Sequence, residues 1–179
     1  MAAVGEGRAP EDRSALVIIL PWANPLLEAA AEVTPGLIRK GLPAHVSLLY
    51  PFLPVAELTG PVDTEVRDLA ASLRTVETEL TDFVEAPGFV GVAVPALRPV
   101  ADAFYERWPH IVPYGGRFGE RPEPHVTLVT GATDEEAALV RERARPLLPL
   151  SGAAWRVDLV VRTDRDWRLR LTAPFAASP

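Results

Sequence analysis

The sequence predicts a protein of mixed α-helices and β-strands, built as two similar lobes around a central cleft. Three observations support this prediction. The chain has 179 residues, which suits one domain with a substantial core. Apolar runs of strand length alternate with segments of helical periodicity. A short pattern, His-Val-Ser at 45–47 and His-Val-Thr at 125–127, occurs once in each half.

The elements of the first half follow from local signals. The apolar run ALVIILPW at 15–22 is typical of a buried strand. Asn24 as the cap and Pro25 in the first turn begin a helix, which Pro35 ends. The first tripeptide lies on a predicted strand at about 44–50. A helix is expected over 62–76, where five apolar residues share one face.

Two strands follow the second predicted helix, and the later one begins the second half. These are predicted at 78–85 and 89–94, around a Pro-Gly turn. Pro99 begins a helix of about ten residues, and a Gly- and Pro-rich loop leads into the second tripeptide strand. Strand, helix and tripeptide strand therefore recur in the same order. This recurrence indicates an internal duplication that places two equivalent strands across a cleft.

The remainder of the chain predicts one more helix and a hairpin. Thr133 and Glu136 form a capping-box pattern at the start of a helix that runs to about Arg145. The last two strands are expected at 156–163 and 167–175, joined by a turn rich in aspartate.

The composition excludes several kinds of protein. The chain has no cysteine, which excludes disulfides, thiolate nucleophiles and cysteine-bound metals. Its formal net charge of −6 gives no global basic surface to neutralise the phosphates of a long nucleic acid. A locally basic cleft would suit a small phosphorylated substrate, so a long nucleic acid is not an expected partner. No motif indicates an oligomeric state.

The N-terminal segment is expected to lie outside the fold. Residues 1–13 are small, polar and charged, which predicts a disordered tail before a single two-lobed domain at 14–179. This tail lacks the apolar core of a signal peptide, and the run ALVIIL ends at Pro21. No stretch has the length of a membrane span, so a cytoplasmic protein with no membrane contact is expected.

Each tripeptide places an imidazole and a hydroxyl on one face of its strand, because successive side chains alternate. His45 and His125 could supply the base and the acid that open a phosphodiester, since an unperturbed histidine has a pKa of about 6.5. Ser47 and Thr127 could donate hydrogen bonds to the phosphate oxygens. This chemistry needs no metal or other cofactor. His110 lacks a hydroxyl two positions later and is expected on the surface.

Other residues are candidate substrate contacts. Tyr50 would face the cleft only if its strand bends, because strict alternation would place Leu49 there. In the glycine-rich loop, Arg117 and Arg121 could clamp a phosphate, and Phe118 could stack on a base. Trp22 and Tyr114 are further stacking candidates. For each of these residues the alternative interpretation is packing or simple solvation.

The segments PAHVSLLYPF and PHVTLV resemble the two His-x-Ser/Thr motifs of the 2H phosphoesterase superfamily, in its RNA 2′,5′-ligase-like and cyclic phosphodiesterase branch. The resemblance covers 15–175, including FVGVAVPALRPVADAFYERWP and the closing hairpin. It implies an α+β, bilobal fold, with two pseudo-symmetric lobes whose antiparallel sheets face a central cleft and whose helices lie outside. It also implies metal-independent chemistry, without cofactors, on a 2′,3′-cyclic phosphate or a 2′,5′ linkage.

The resemblance further implies residue roles and partners. His45 and His125 would be the acid–base pair, and Ser47 and Thr127 the phosphate-binding residues, with a small phosphorylated nucleotide or short RNA end as substrate. The sequence leaves open which histidine is the acid. It also leaves two alternatives: a catalytically idle module that binds a nucleotide or RNA end in the same cleft, and a duplicated fold whose tripeptides only pack.

Overall fold

Two successive runs of elements in the same order make up most of the chain. The computed structural model describes residues 12–38, 41–164 and 166–176. The first run is β1 (Ser14–Ile19), α1 (Asn24–Val33), β2 (His45–Leu49), α2 (Gly60–Ser72), β3 (Val76–Leu80) and β4 (Phe83–Ala86). The second run is β5 (Phe89–Ala93), α3 (Arg98–Arg107), β6 (His125–Thr130), α4 (Asp134–Ala144), β7 (Leu150–Ala154) and β8 (Arg156–Arg162), followed by β9 (Trp167–Pro174). The helices and strands therefore follow the same order in both runs, and β9 alone among the labelled elements has no counterpart.

The helix signals in the sequence locate the helix starts well. α1 carries Pro25 in its first turn, as predicted, but Asn24 is its first residue and Ala23 is the cap. At α4, the Thr133 hydroxyl accepts from the backbone N–H of Glu136 at 3.2 Å, and the Glu136 carboxylate accepts from the backbone N–H of Thr133 at 2.8 Å. The predicted capping box is confirmed.

Two predicted boundaries in the middle of the chain are wrong. The helix expected over 62–76 ends at Ser72, and Val76 already begins β3. The single strand expected over 78–85 is two strands, because β3 pairs with β7 in a separate sheet whereas β4 pairs with β5. β7 itself has no apolar alternation in its sequence, since most of its side chains are small. Gly152 of β7 lies against the ring of Trp22, which leaves no room for a Cβ at this position.

The strands form one large sheet and one small sheet, both antiparallel. The large sheet has seven strands in the order β4-β5-β6-β2-β1-β8-β9, and the small sheet consists of β3 and β7. The strand order is symmetric about the antiparallel β2–β6 pair, which defines a pseudo-two-fold axis between these strands. The two lobes therefore meet within a single sheet, along the pairing of the two tripeptide strands.

The last strand of each run is exchanged between the two lobes. β4 ends the first run but pairs with β5 of the second, and β8 ends the second run but pairs with β1 of the first. β3 and β7, which precede them, pair with each other. Each lobe therefore contains a strand from the other run.

The large sheet separates the main core from the cleft. The core side buries alternate residues of the central strands, such as Leu16, Val46 and Val126, against the helices and the small sheet. On the other side, Ala15, Val17 and Val160 form a smaller buried cluster. None of the helices in the described part of the chain combines the length and apolar composition that a membrane crossing requires.

The predicted N-terminal tail falls almost entirely outside the described residues. Of the segment 1–13, only Asp12 and Arg13 are described. The Asp12 carboxylate accepts from the backbone N–H of Val55 at 2.9 Å, and the Arg13 carbonyl accepts from the backbone N–H of Arg162 at 2.7 Å. These two residues are therefore joined to the fold at the start of β1.

Candidate active site

The two tripeptide strands lie side by side at the centre of the large sheet. β2 and β6 pair in antiparallel register, with the two tripeptide valines directly opposite each other. This register places His45 opposite Thr127 and His125 opposite Ser47, all on one face of the sheet. The valines are fully buried on the other face, whereas the four polar residues are half-buried. The structure thus brings the four predicted residues together.

Both imidazoles are held in the same way. Nδ1 of His45 lies 2.8 Å from the carbonyl oxygen of Pro43, and Nδ1 of His125 lies 2.7 Å from that of Glu123. A carbonyl oxygen can only accept, so the hydrogen of each bond must be on Nδ1. In each ring, Nε2 is then the nitrogen that can take up or release a proton. The two histidines have matching tautomers and equivalent orientations relative to the backbone.

A β-bulge follows each tripeptide at the same position. Ser47 lies opposite Val17 and Leu49 opposite Leu16, so Leu48 is the extra residue of β2; Leu128 is the equivalent extra residue of β6. One extra residue reverses the alternation of the side chains that follow it. Tyr50 consequently packs against the buried cluster on the cleft side, and the bulge fulfils the condition for Tyr50 to face the cleft.

The end of the cleft beside His45 is aliphatic. Thr127 and Thr130 line a small pocket there together with His45. Its remaining walls come from β6 and from α1 and the loop after it, and the side chains from α1 and this loop are Leu27, Leu37, Ile38 and Leu42. Thr130, the last residue of β6, is equivalent to Tyr50, which directly follows β2.

The end of the cleft beside His125 is aromatic. The His125 ring lies 5.4 Å from that of Phe89, 6.4 Å from that of Phe118 and 6.5 Å from that of Tyr114, between ring centroids. Tyr50 lies 5.9 Å from both Tyr114 and a further ring, Trp167. We call these five side chains the aromatic wall: Tyr50, Phe89, Tyr114, Phe118 and Trp167.

The backbone of Tyr114 is strained where it joins the aromatic wall. Its φ is +55°, in the left-handed region that non-glycine residues rarely adopt, and Gly115 and Gly116 continue in that region. The backbone N–H of Tyr114 donates to the carbonyl of Tyr50 at 2.6 Å, which fixes the loop to the end of β2. Such strain is maintained where the surrounding structure enforces it, and it is concentrated at functional sites.

The other candidate contacts have different positions. Arg117 lies over the Phe118 ring at 5.3 Å, beside the aromatic wall. Arg121 lies 3.6 Å from the Asp102 carboxylate and 3.9 Å from that of Glu106, both on α3, so it would have to leave these carboxylates to reach a phosphate.

Two further sequence candidates lie elsewhere. Trp22 packs against β7 and donates from Nε1 to the Ala153 carbonyl at 3.2 Å. His110 is exposed in the turn after α3, as the sequence predicts.

Sequence reasoning missed three side chains of the cleft. Thr130 could have been found by aligning the two tripeptide strands, which places it at the position of Tyr50. Phe89 reaches His125 because Gly91, two residues on, has no side chain: a Cβ there would lie 2.9 Å from the Phe89 ring. Trp167 has no local signal, since its contact with Tyr50 depends on how the closing hairpin packs.

The segment before His125 is anchored to α3 by a buried tyrosine. The Tyr105 hydroxyl donates to the carbonyl of Pro122 at 3.3 Å, and the residue is 5% exposed. Burial raises the pKa of Tyr105 to about 12. The hydroxyl therefore remains a neutral donor throughout the neutral pH range.

We expect this tyrosine to make the protein less stable at alkaline pH. Above about pH 10 the unfolded chain releases the tyrosine proton that the folded chain keeps until about pH 12, so the free energy of unfolding falls across this interval. Urea unfolding of the wild type and Tyr105→Phe at about pH 9 and about pH 11 measures the difference. Parallel losses of stability in both proteins would contradict this prediction.

No group of three or more histidine, aspartate or glutamate side chains within residues 12–38, 41–164 and 166–176 is arranged to hold a metal ion. The site in the described residues thus consists of two imidazoles, two hydroxyls and the surrounding aromatic and aliphatic side chains.

Comparisons with known proteins give a family and a fold. Residues 21–166 match the family described as the 2′-5′ RNA ligase superfamily. No curated protein sequence matches the chain. Among 14 matching solved chains is the crystal structure of E. coli LigT complexed with 3′-AMP, which is 16% identical with a TM-score of 0.55. The match covers 92% of this chain and 98% of LigT. The predicted α+β, two-lobed fold is confirmed.

Proposed function

Because the chain belongs to the 2′-5′ RNA ligase superfamily of 2H phosphoesterases, we propose that it is a metal-independent phosphodiesterase acting on a small nucleotide or RNA end. Its substrate would carry a 2′,3′-cyclic phosphate or a 2′,5′ linkage. The observation that carries the proposal is the strand register, which sets each histidine opposite the hydroxyl of the other tripeptide. A phosphate at the pseudo-two-fold axis would have one imidazole and one hydroxyl on either side.

The proposed reaction uses the two Nε2 atoms in opposite protonation states. One neutral imidazole takes the proton of a water molecule as the water oxygen bonds to phosphorus. The other imidazole, protonated, gives its proton to the ribose oxygen as that oxygen leaves phosphorus. Ser47 and Thr127 donate hydrogen bonds to the non-bridging oxygens, which are already negatively charged in the bound substrate. The backbone carbonyls on Nδ1 keep both rings in the required tautomer.

The aromatic wall supports a nucleotide as the substrate. Nucleobases stack on aromatic side chains whatever their identity, and Phe118 and Tyr114 lie within ring contact of His125. We assign Tyr50 and Phe118 to base or ribose contacts, and Arg117 to a phosphate contact. The similar structure of LigT is complexed with a nucleotide, 3′-AMP.

A direct assay tests the proposed function. The protein is incubated with 2′,3′-cyclic nucleotides and with 2′,5′-linked dinucleotides in the presence of EDTA, and products are separated by chromatography. We expect turnover with a bell-shaped pH profile, because one histidine must be neutral and the other protonated. Binding seen by calorimetry without any product would favour the idle binding module. Activity that EDTA abolishes and a metal restores would exclude the proposed mechanism.

Removal of either phosphate-binding hydroxyl is expected to weaken substrate binding more than it slows the proton transfers. A hydrogen bond to a charged group contributes about 1.5–3 kcal/mol, so Ser47→Ala and Thr127→Val should each raise KM by about tenfold or more. Initial rates over a range of substrate concentrations measure this effect. Thr64→Ala removes a hydroxyl from the exposed surface of α2 and should leave KM unchanged. An equal effect of Thr64→Ala would contradict the assignment.

Loss of the Phe118 ring is expected to weaken binding of the base. Stacking contributes about 1–3 kcal/mol per base, so Phe118→Ala should raise KM for a nucleoside cyclic phosphate by about fivefold to 10²-fold. The KM for ribose 2′,3′-cyclic phosphate, which has no base, should change little. Trp155→Ala removes an aromatic ring that is 48% exposed and serves as the control. A similar rise in KM for both substrates would show that the ring does not contact the base.

A further inference from the structure

The segment that leads into each histidine is held by the first residue of a helix. In the first half, the Asn24 side-chain oxygen accepts from the backbone N–H of Ala44 at 2.8 Å. That N–H belongs to the peptide group that joins Pro43 to Ala44. The carbonyl of the same group accepts from Nδ1 of His45 at 2.8 Å. Asn24 and His45 therefore bind opposite ends of one peptide group.

The second half has an arginine at the corresponding place. Arg98 is the first residue of α3, and its guanidinium donates to the carbonyls of Arg121 at 3.2 Å and Pro122 at 3.4 Å. It also forms an ion pair with the Glu123 carboxylate. The Glu123 carbonyl is the acceptor for Nδ1 of His125. Arg98 thus holds Glu123, whose carbonyl orients His125. It does so through the Glu123 carboxylate and through the carbonyls of the two preceding residues.

The use of asparagine in one half and arginine in the other matches a difference in the residue before each histidine. Ala44 and Pro124 are equivalent positions. The Ala44 carbonyl accepts from the backbone N–H of Leu20 at 2.7 Å, and the Pro124 carbonyl accepts from that of Val94 at 2.8 Å. Each donor lies between a strand and the helix that follows it. Proline has no N–H. An asparagine oxygen in the second half would therefore find no donor, whereas a guanidinium can use the carbonyls that remain.

We propose that Asn24 and Arg98 are positioning residues, each of which fixes the tautomer and orientation of one histidine: Asn24 that of His45, and Arg98 that of His125. Hydrogen bonds to the two ends of a peptide group strengthen each other by polarisation, so the bond to Asn24 makes the Pro43 carbonyl a better acceptor for Nδ1–H. The importance of these residues for turnover rests on the proposed function. Their effect on the rings does not.

Nitrogen NMR of the imidazoles tests the assignment without any substrate. The chain has three histidines, and His110 in its exposed turn is an internal reference. In Asn24→Ala, at a pH where the rings are neutral, we expect the His45 nitrogen shifts to move from the Nδ1–H tautomer towards a mixture. The signals of His125 and His110 should not move. Asn24→Asp keeps the acceptor and should restore the wild-type pattern of His45.

The complementary variants act on the other ring. Arg98→Met should move the His125 signals and leave those of His45 in place. Arg98→Lys keeps a positive charge for Glu123 but loses the guanidinium fork, and should produce a smaller change of the same kind. Glu28→Ala on α1 and Arg107→Ala on α3 change exposed residues of the same helices and should move neither ring. Thermal melts show which variants are folded.

The outcomes separate this inference from the proposed function. If Asn24→Ala is folded and the His45 spectrum is unchanged, or if both rings change together, the assignment is wrong even if the protein turns over a cyclic nucleotide. If the spectra change as expected and no substrate is consumed, the positioning role stands and the proposed function fails. Where turnover is found, each variant should lower kcat by about 10- to 10²-fold and leave KM within about threefold.

Discussion

His45→Ala and His125→Ala are each expected to lower turnover of a cyclic nucleotide by about 10²- to 10⁴-fold, which is the usual contribution of a general acid or base. Each variant removes one of the two proton-transfer groups and leaves the other ring on its backbone carbonyl. Groups that act as a unit are not additive, so the double variant should be little slower than either single variant. Steady-state rates in EDTA measure all three proteins.

The third histidine provides a matched control for this prediction. His110→Ala removes the same side chain from an exposed turn and should retain wild-type turnover. Undiminished activity in the double variant would exclude both histidines from the chemistry. If His110→Ala is as slow as the other variants, the loss of rate reports a general effect of the substitutions and not the loss of an acid or base.

Phe104→Ala is expected to give a large loss of stability, about 3–5 kcal/mol in the free energy of unfolding. The Phe104 ring is fully buried between α3 and the sheet and stacks on Trp108, with 5.9 Å between ring centroids and 18° between planes. Its removal leaves a cavity under the helix that anchors the segment before His125. Urea unfolding followed by circular dichroism measures the change.

An exposed apolar residue is the control for this stability prediction. Leu139 on α4 is 43% exposed, so Leu139→Ala should change the free energy of unfolding by less than about 0.5 kcal/mol. If both variants lose the same small amount of stability, α3 is not packed on the core through Phe104. A loss for Phe104→Ala alone would agree with the packing described.

The two tripeptides were enough to predict which side chains share a face in the candidate site, because strand alternation is a local property. His45 and Ser47 must share a face of their strand, and so must His125 and Thr127. The capping box at Thr133 is likewise local and was readable in the sequence. The resemblance to the 2H phosphoesterases implied the same two-lobed α+β fold that the order of the elements predicts, and the structure confirms this fold.

Features that depend on pairing between distant segments could not be predicted in the same way. The bulge at Leu48 is visible only when β1 is placed beside β2, and it alone brings Tyr50 to the cleft. The residues at 78–85 read as one strand because nothing local shows that β3 belongs to another sheet. Arg121 was a phosphate candidate by its loop position, yet the acidic side chains of α3 determine where its guanidinium lies.

The exchanged strands β4 and β8 have a consequence for the history of the chain. A half of this protein made alone would lack the partner strand that completes its sheet, and its single His-hydroxyl tripeptide would have no counterpart. Two such halves would complete each other as a symmetric homodimer with one shared site on the dyad. Two halves within one chain, unlike the halves of a homodimer, need not be identical. Equivalent positions could therefore differ, as Ala44 and Pro124 do and as Asn24 and Arg98 do. The two sides of the candidate site could then take different roles.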